Sequence, residues 1–161
     1  MKSAGPAKHF ILAFLIALVL YVVTYSAIEH RRTKNGPWHV TFVAGTLGVP
    51  AIVIDEPKLG ISHLKITFPN EHAAATNSTV IFDPPRAVPF DVPFGQCIFL
   101  DTTFQPGTAV FNLYGHEIQL IPRVLTIDKT EYPWQSDITM AVTNAAILSI
   151  PKNQPTEPQR R

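Results

Sequence analysis

The sequence contains few of the residues that most often carry chemistry. Cys97 is the only cysteine among the 161 residues, so no disulfide can form within the chain. No C-x-x-C, H-E-x-x-H or G-x-S-x-G motif occurs, and no glycine-rich phosphate-binding loop is present. The sequence therefore predicts no catalytic residue, no metal site and no cofactor, and Cys97 is interpreted as a small buried hydrophobic residue.

Charge is also scarce. Asp, Glu, Lys and Arg make up 16% of the chain, below the roughly 25% that is typical of soluble domains. Between residues 36 and 152, ten acidic residues stand against six basic ones, so this part of the chain is predicted to be acidic. Binding to nucleic acid requires clustered Lys and Arg to meet the phosphates. Nucleic acid is therefore not an expected partner.

One long apolar run dominates the start of the chain. Residues 10–28 contain no charged side chain, and about 20 apolar residues in a helix cross the ~30 Å hydrocarbon core of a bilayer. Basic residues flank this run on both sides, where lipid headgroups would lie: Lys2, Lys8, Arg31, Arg32 and Lys34. The pattern predicts a transmembrane helix, with the lipid bilayer as its first partner.

Two alternatives compete with an uncleaved anchor. A signal peptide usually has a shorter apolar region of about 7–15 residues. Cleavage after Ala27 would put Tyr25 where a small residue is expected, although cleavage after Ser26 stays open. Type IV pilins resemble this chain in outline, but their apolar helix carries an early glutamate, and here the first acid is Glu29. An uncleaved anchor is therefore predicted.

The side of the membrane is predicted from the short N-terminal arm. Basic residues before and after the apolar run nearly balance, so the charge rule gives little guidance. A short arm followed at once by an apolar run is typical of a signal anchor. This favours an arm in the cytoplasm and a domain on the periplasmic or extracellular side of the cell membrane.

The rest of the chain has the pattern of short strands. Apolar and polar side chains alternate over residues 38–44 and again over residues 61–68. Further apolar runs follow at hairpin spacing, with a turn predicted at Pro106–Gly107 and either a reversal or a bulge at Gly115. The pattern predicts an all-β fold, an antiparallel β-sandwich or a barrel-like domain, preceded by one transmembrane helix.

Three longer segments are interpreted as single units. The four prolines within residues 83–95 favour a long crossing connection rather than a central strand. Residues 116–128 and 138–150 were each interpreted as one strand segment. The predicted organisation is an arm at residues 1–9, a transmembrane helix at 10–28, a juxtamembrane linker at 29–37, a β-domain at 38–152 and a disordered tail at 153–161.

Two motifs nearly match known sites. Asp101, Thr102 and Thr103 resemble the hydrophobic-Asp-Thr-Gly triplet of aspartic proteases, but Thr103 stands in place of the glycine. An ordinary aspartate at the end of a strand is the preferred interpretation. Cys97 and the next histidine, His116, lie too far apart for the ligand loop of a cupredoxin-like copper site.

Two pairs of residues are predicted to bind a partner. Tyr132 and Trp134 flank Pro133 within a polar segment, and aromatic side chains on a short stiff loop make good interface anchors. The alternative for Trp134 is that it covers the core. Ala13 and Ala17 are four residues apart in the apolar run, which puts two small side chains on one helix face for a neighbouring helix.

These observations predict a single-pass membrane protein whose β-domain is a non-catalytic accessory or scaffold subunit of a larger membrane complex. The expected partners are integral membrane protein subunits, and a respiratory or photosynthetic assembly is one possible host. The alternative is a membrane-tethered enzyme or ligand-binding protein whose site no short motif reveals. Pull-down of a stable complex would favour the first hypothesis, and turnover by the isolated domain would favour the second.

Overall fold

The computed structural model describes residues 6–32, 34–45, 47–143 and 147–150. These residues form one α-helix and twelve β-strands, with a short 3-10 helix at Pro57–Leu59. The elements are α1 (Pro6–Arg32), β1 (His39–Ala44), β2 (Pro50–Glu56), β3 (Ile61–Thr67), β4 (Thr76–Ile81), β5 (Phe90–Val92), β6 (Gly95–Asp101), β7 (Thr108–Leu113), β8 (His116–Ile121), β9 (Val124–Ile127), β10 (Thr130–Tyr132), β11 (Thr139–Val142) and β12 (Ile147–Ile150).

Helix α1 contains the whole predicted membrane segment and extends four residues beyond it at each end. Pro6 is tolerated because the first residue of a helix needs no backbone N–H bond. The helix ends before Gly36, whose φ of +78° suits glycine. Among the described residues this is the one helix long and apolar enough to cross a membrane. Residues 1–5 of the predicted arm lie outside the described residues.

The strands form two six-stranded sheets. Sheet 1 has the order β12-β11-β3-β2-β1-β4, and sheet 2 has the order β10-β9-β8-β7-β6-β5, which is a simple meander. Over the described residues the two sheets stay open, so the barrel alternative is wrong, and the layered arrangement is sandwich-like. The purely antiparallel prediction is wrong at one pair, because β11 runs parallel to β3. The chain passes from β10 in sheet 2 to β11 in sheet 1 and enters beside β3 in the same direction.

One hydrophobic core lies between the sheets and takes side chains from both. The alternation predicted for residues 38–44 is confirmed, because every second side chain there is buried. In the second segment it holds from Leu64 to Phe68, and a register shift between Ile61 and Leu64 interrupts it. Trp38 is fully buried, and its indole N–H donates to the Gly107 carbonyl at 3.1 Å. The largest fully buried side chains are Trp38, Phe42, Phe68, Phe82, Phe111, Ile52, Ile54, Leu64, Ile66, Leu113, Ile118 and Leu120.

Three segment interpretations need correction. Within residues 83–95, Phe90–Val92 forms β5, an edge strand that pairs with β6, while the prolines before it occupy the connection. An edge strand tolerates neighbouring prolines because one side needs no hydrogen-bond partner. Residues 116–128 form two strands joined by a turn at residues 122–123, and residues 138–150 also divide into two strands. The predicted tail at 153–161 lies outside the described residues.

The predicted turn at Pro106–Gly107 is confirmed, and at Gly115 the structure has the reversal rather than the bulge. Gly107 follows Pro106 between β6 and β7 with φ of +70°, and a Cβ there would lie 1.7 Å from the Asp101 carbonyl oxygen. Only glycine fits at that distance. Gly115, with φ of +85°, joins β7 to β8 in a tight hairpin.

The direction of the strands gives the β-domain two ends. The proximal end is the one at which the chain arrives from α1, and the distal end is opposite. The proximal end contains residues 34–38, 57–60, 82–89, 102–107, 122–123 and 133–138. The distal end contains residues 45, 47–49, 68–75, 93–94, 114–115 and 128–129.

Candidate functional site

The first predicted partner-binding pair lies on the surface of α1. Ala13 and Ala17 are both exposed and lie one helical turn apart on the same face. The helix is apolar on all sides, and the Thr24 hydroxyl within it donates to the Leu20 carbonyl at 2.7 Å. The backbone polar groups of such a helix and the Thr24 hydroxyl form their hydrogen bonds within the helix, so they do not require water. A role of Ala13 and Ala17 in helix packing stays a prediction.

The second predicted pair lies at the proximal end of the β-domain. Tyr132 and Trp134 are half-buried and pack against the core. The Trp134 indole N–H donates to the Ile121 carbonyl at 2.9 Å, and its ring lies 5.2 Å from that of Trp38. Trp134 therefore covers the core, as the alternative proposed. Partner binding by the remaining exposed parts of both rings stays a prediction, and the structure keeps this surface separate from Ala13 and Ala17.

An apolar cleft at the distal end was missed by sequence reasoning. It lies on the outer face of sheet 1, where Val43, Ala51 and Thr67 stand side by side across three strands, and it encloses about 300 Å³. Leu47 in the β1–β2 loop borders it and is 86% exposed. Its other lining residues are Gly45, Val49 and Lys65. Leu47 lies in a loop between Gly45 and Gly48. A large apolar residue between two loop glycines was the feature of the sequence that could have indicated an exposed apolar site.

A buried carboxyl group was also missed. Glu56 is only 1% exposed, because it ends β2 on the inward parity of Ile52 and Ile54. Its carboxylate accepts a hydrogen bond from the Lys58 backbone N–H at 3.1 Å. Burial raises the pKa of Glu56, and this hydrogen bond and the charges of His39 and Lys58 oppose the rise. If the alternation of Ile52 and Ile54 is continued along the strand to residue 56, it predicts that the Glu56 side chain points inward.

Glu56 also lies beside the linker that joins α1 to the β-domain. A Cβ added to Gly36 would lie 4.0 Å from its Oε2 atom. Gly36, Pro37 and Glu56 line one shallow cleft together with residues of the 3-10 helix. This carboxyl group therefore lies at the junction between α1 and the β-domain.

Cys97 and Asp101 belong to the two motifs that nearly match known sites, and the surroundings of each residue indicate a structural role. Cys97 is fully buried, and burial raises the pKa of its thiol to about 11, so the thiol stays protonated at neutral pH. The interpretation as a buried hydrophobic residue is confirmed. Asp101 is the last residue of β6, and its carboxylate accepts the Thr103 backbone N–H at 2.8 Å. Hydrogen bonds from Thr103 lower the pKa of Asp101, as expected for an aspartate that closes a turn.

One histidine and aspartate pair lies at the distal end. The Nδ1 atom of His116 is 2.6 Å from Oδ2 of Asp128, and the other oxygen of Asp128 accepts the Glu117 N–H at 2.9 Å. These bonds tie the start of β8 to the turn after β9. Within the described part of the chain, no group of three His, Cys, Asp or Glu side chains is placed to hold a metal ion.

Comparison of the chain with protein-family models, with curated proteins and with solved structures found no match.

Proposed function

We propose that this protein is a single-pass membrane protein whose β-sandwich domain serves as a non-catalytic accessory or scaffold subunit of a larger membrane complex. The observation that carries the proposal is the position of α1. Its described side chains from residue 7 to residue 28 are all exposed, although the helix is strongly apolar. The β-domain already has a complete core without it. Lipid is the environment that covers such a helix at lowest free energy.

The distal cleft supports the scaffold part of the proposal. Burial of a leucine side chain contributes about 1.5–3 kcal/mol, so an 86% exposed Leu47 beside an apolar cleft is costly in water. Contiguous exposed apolar surface is typical of protein interaction sites. Strands of six or seven residues place this cleft about 20 Å from the proximal end. A partner that binds it must therefore extend from the membrane to a similar height.

The helix supplies a second surface for integral membrane protein subunits. A neighbouring transmembrane helix can approach α1 most closely at Ala13 and Ala17. Contact at both the helix and the distal cleft would hold the domain in one orientation relative to its host. A respiratory or photosynthetic assembly is one candidate host.

The test is retention of a complex in mild detergent. Full-length protein is expressed in its native membranes, and complex size is measured by native electrophoresis and mass spectrometry. We expect Leu47→Asp to release the domain from its complex, because a carboxylate cannot be buried in an apolar contact without a partner. The matched control is Ile98→Asp, since Ile98 is an exposed apolar residue of sheet 2.

The helix surface is tested separately. Replacement of Ala13 and Ala17 by Leu should leave membrane insertion unchanged and weaken the complex if close helix packing contributes. A complex that survives every one of these changes argues against both surfaces. Substrate turnover by the purified protein would instead support the alternative, a membrane-tethered enzyme or ligand-binding protein.

The side of the membrane needs its own measurement. We propose that the β-domain lies on the periplasmic or extracellular side. Alkaline phosphatase fused after residue 152 should then be active in a bacterial host. An inactive phosphatase, together with a fluorescent cytoplasmic reporter at the same position, would reverse the orientation.

A further inference from the structure

An exposed aromatic side chain lies at the place where α1 meets the β-domain. Phe104, in the loop between β6 and β7, is 56% exposed. The two residues before it, Thr102 and Thr103, line a cleft together with Tyr25 and Ile28 from the last turns of α1. Phe104 is therefore the next residue in the chain after the two that lie beside the end of the helix.

The position of this cleft along α1 gives its depth. Ile28 is the last residue of the apolar run, and the charged residues Glu29 and Arg31 follow it within about 4.5 Å along the helix axis. This inference rests on the proposed function, in which α1 spans the bilayer. The C-terminal end of the apolar segment then lies at the headgroups, and a loop beside Ile28 lies at the same level.

A second proximal loop reaches the same level. Pro85 lines the cleft as well, and exposed Arg86 and Val88 follow it in the β4–β5 connection. The buried Gln105 side chain joins the two loops, because its amide donates to the backbone carbonyl and the carboxylate of Asp83. The two loops are therefore joined, and each carries one exposed apolar side chain, Val88 in the first and Phe104 in the second.

We propose that the surface of these two loops rests on the lipid bilayer, with Phe104 and Val88 inserted among the headgroups. Aromatic and aliphatic side chains at such a position bury apolar area in the interfacial layer. The Arg86 guanidinium packs over the ring of Phe90, 5.4 Å from its centroid, and is not needed for this contact. Arg123 is exposed at the same end of the domain. Asp83 and Asp101 also lie there, so the surface is not strongly cationic, and zwitterionic phosphatidylcholine suffices for docking.

The docked surface has a consequence for the proposed scaffold role. A domain held only by its linker could tilt freely about Gly36. A second contact through Phe104 and Val88 limits that tilt and holds the distal cleft at a constant height and direction. The partner then meets a surface that is already oriented.

The test measures the depth of Phe104 in the full-length protein. Phe104→Cys is labelled with an environment-sensitive fluorophore, and Cys97 is left in place because it is fully buried. The control is Lys129→Cys, in the exposed distal turn between β9 and β10. Both proteins are reconstituted in phosphatidylcholine vesicles with a nitroxide on the upper acyl chain. We expect several-fold stronger quenching, and a blue-shifted emission, for the label at position 104.

A second pair of variants tests the contribution of the phenyl ring itself. The label is moved to Thr103→Cys, and Phe104 is replaced by Ser or by Leu. Quenching at position 103 should fall in the Phe104→Ser protein and persist in the Phe104→Leu protein, because leucine also partitions into the interface. Equal quenching in the two proteins would contradict insertion by this side chain.

The outcomes separate this inference from the proposed function. Equal quenching at positions 104 and 129 overturns docking, while resistance of the same protein to alkaline carbonate extraction keeps α1 as an anchor. If neither the nitroxide lipid nor aqueous iodide quenches the label at position 104, the label is packed against the protein. This result also overturns docking. Extraction by carbonate overturns the anchor and the docked surface together.

Discussion

Helix α1 and the β-domain use the same apolar residue types in opposite ways. The helix presents Leu, Ile, Val and Phe outward on all sides, whereas the domain turns them inward from two sheets. A helix satisfies its backbone hydrogen bonds internally, so it can be apolar on every face and remain stable in lipid. A strand needs neighbouring strands for those bonds and buries one face against a second layer. The comparison shows that an element that satisfies its own backbone hydrogen bonds can present apolar side chains on every face, whereas a sheet needs a second layer to cover them.

The largest expected effect comes from charge placed on the helix. Leu15→Arg with Leu18→Arg puts two cations in the middle of the apolar segment, and each disfavours insertion by about 2.5–3.5 kcal/mol. We expect the protein to leave the membrane fraction on carbonate extraction, while the β-domain keeps its circular dichroism spectrum. Leu15→Val with Leu18→Val is the control and should stay inserted. Loss of the β spectrum in the arginine variant would show that the two regions depend on each other.

A pair of phenylalanines tests the inward arrangement of the domain. Phe111 is fully buried and lies 5.2 Å from the ring of Phe82, so Phe111→Ala should lower the free energy of unfolding by about 3–5 kcal/mol. Phe104→Ala, at an exposed position, should change it by less than about 0.5 kcal/mol in detergent. Chemical denaturation followed by tryptophan fluorescence measures both. Similar effects at the two positions would contradict the assignment of Phe111 to the core.

A smaller effect is expected where the domain closes its core at the proximal end. Trp134→Phe keeps a ring over Trp38 but removes the hydrogen bond to the Ile121 carbonyl. The free energy of unfolding should fall by about 1 kcal/mol. Tyr132→Phe is the control and should change stability less. If Trp134→Phe leaves stability unchanged but weakens the complex, a partner-binding role outweighs the structural one.

The smallest effect concerns pH and the junction at Glu56. Burial raises the folded-state pKa of this carboxyl above the ordinary value of 4.5, so the folded state favours the protonated form. Its contribution to stability is therefore complete below pH 4.5 and is lost as pH rises through the raised pKa.

Glu56→Gln tests this contribution, because it keeps an oxygen acceptor for the Lys58 N–H without the charge. We expect the stability of the natural protein, relative to this variant, to fall between pH 4.5 and neutrality. Thermal unfolding of both proteins across that range measures the difference. Asp91→Asn serves as a control, because Asp91 is an exposed carboxylate of β5. Parallel pH profiles for Glu56→Gln and the natural protein would contradict the raised pKa.

Several features of the candidate sites followed from local patterns in the sequence, and others did not. Burial of Cys97 followed from its apolar neighbours, and the half-buried position of Trp134 was one of two stated alternatives. Leu47 and Glu56 were missed because no side-chain directions were predicted for the segments that contain them. The distal cleft needs Val43, Ala51 and Thr67 side by side, and they come from three strands whose register no single segment contains.

The sequence by itself determined the apolar helix, the existence of most strands, the turns at Gly107 and Gly115, and the inward faces of β1 and β3. These features depend on local periodicity and on backbone freedom within a few residues. Only the tertiary structure decided the order of the two sheets, the parallel pairing of β11 with β3, and the meeting of Tyr25 and Ile28 with Thr103. The physical reason is that strand pairing and loop contacts join residues far apart in the chain. Which pairs form depends on how all the strands together bury their apolar faces and satisfy their backbone hydrogen bonds.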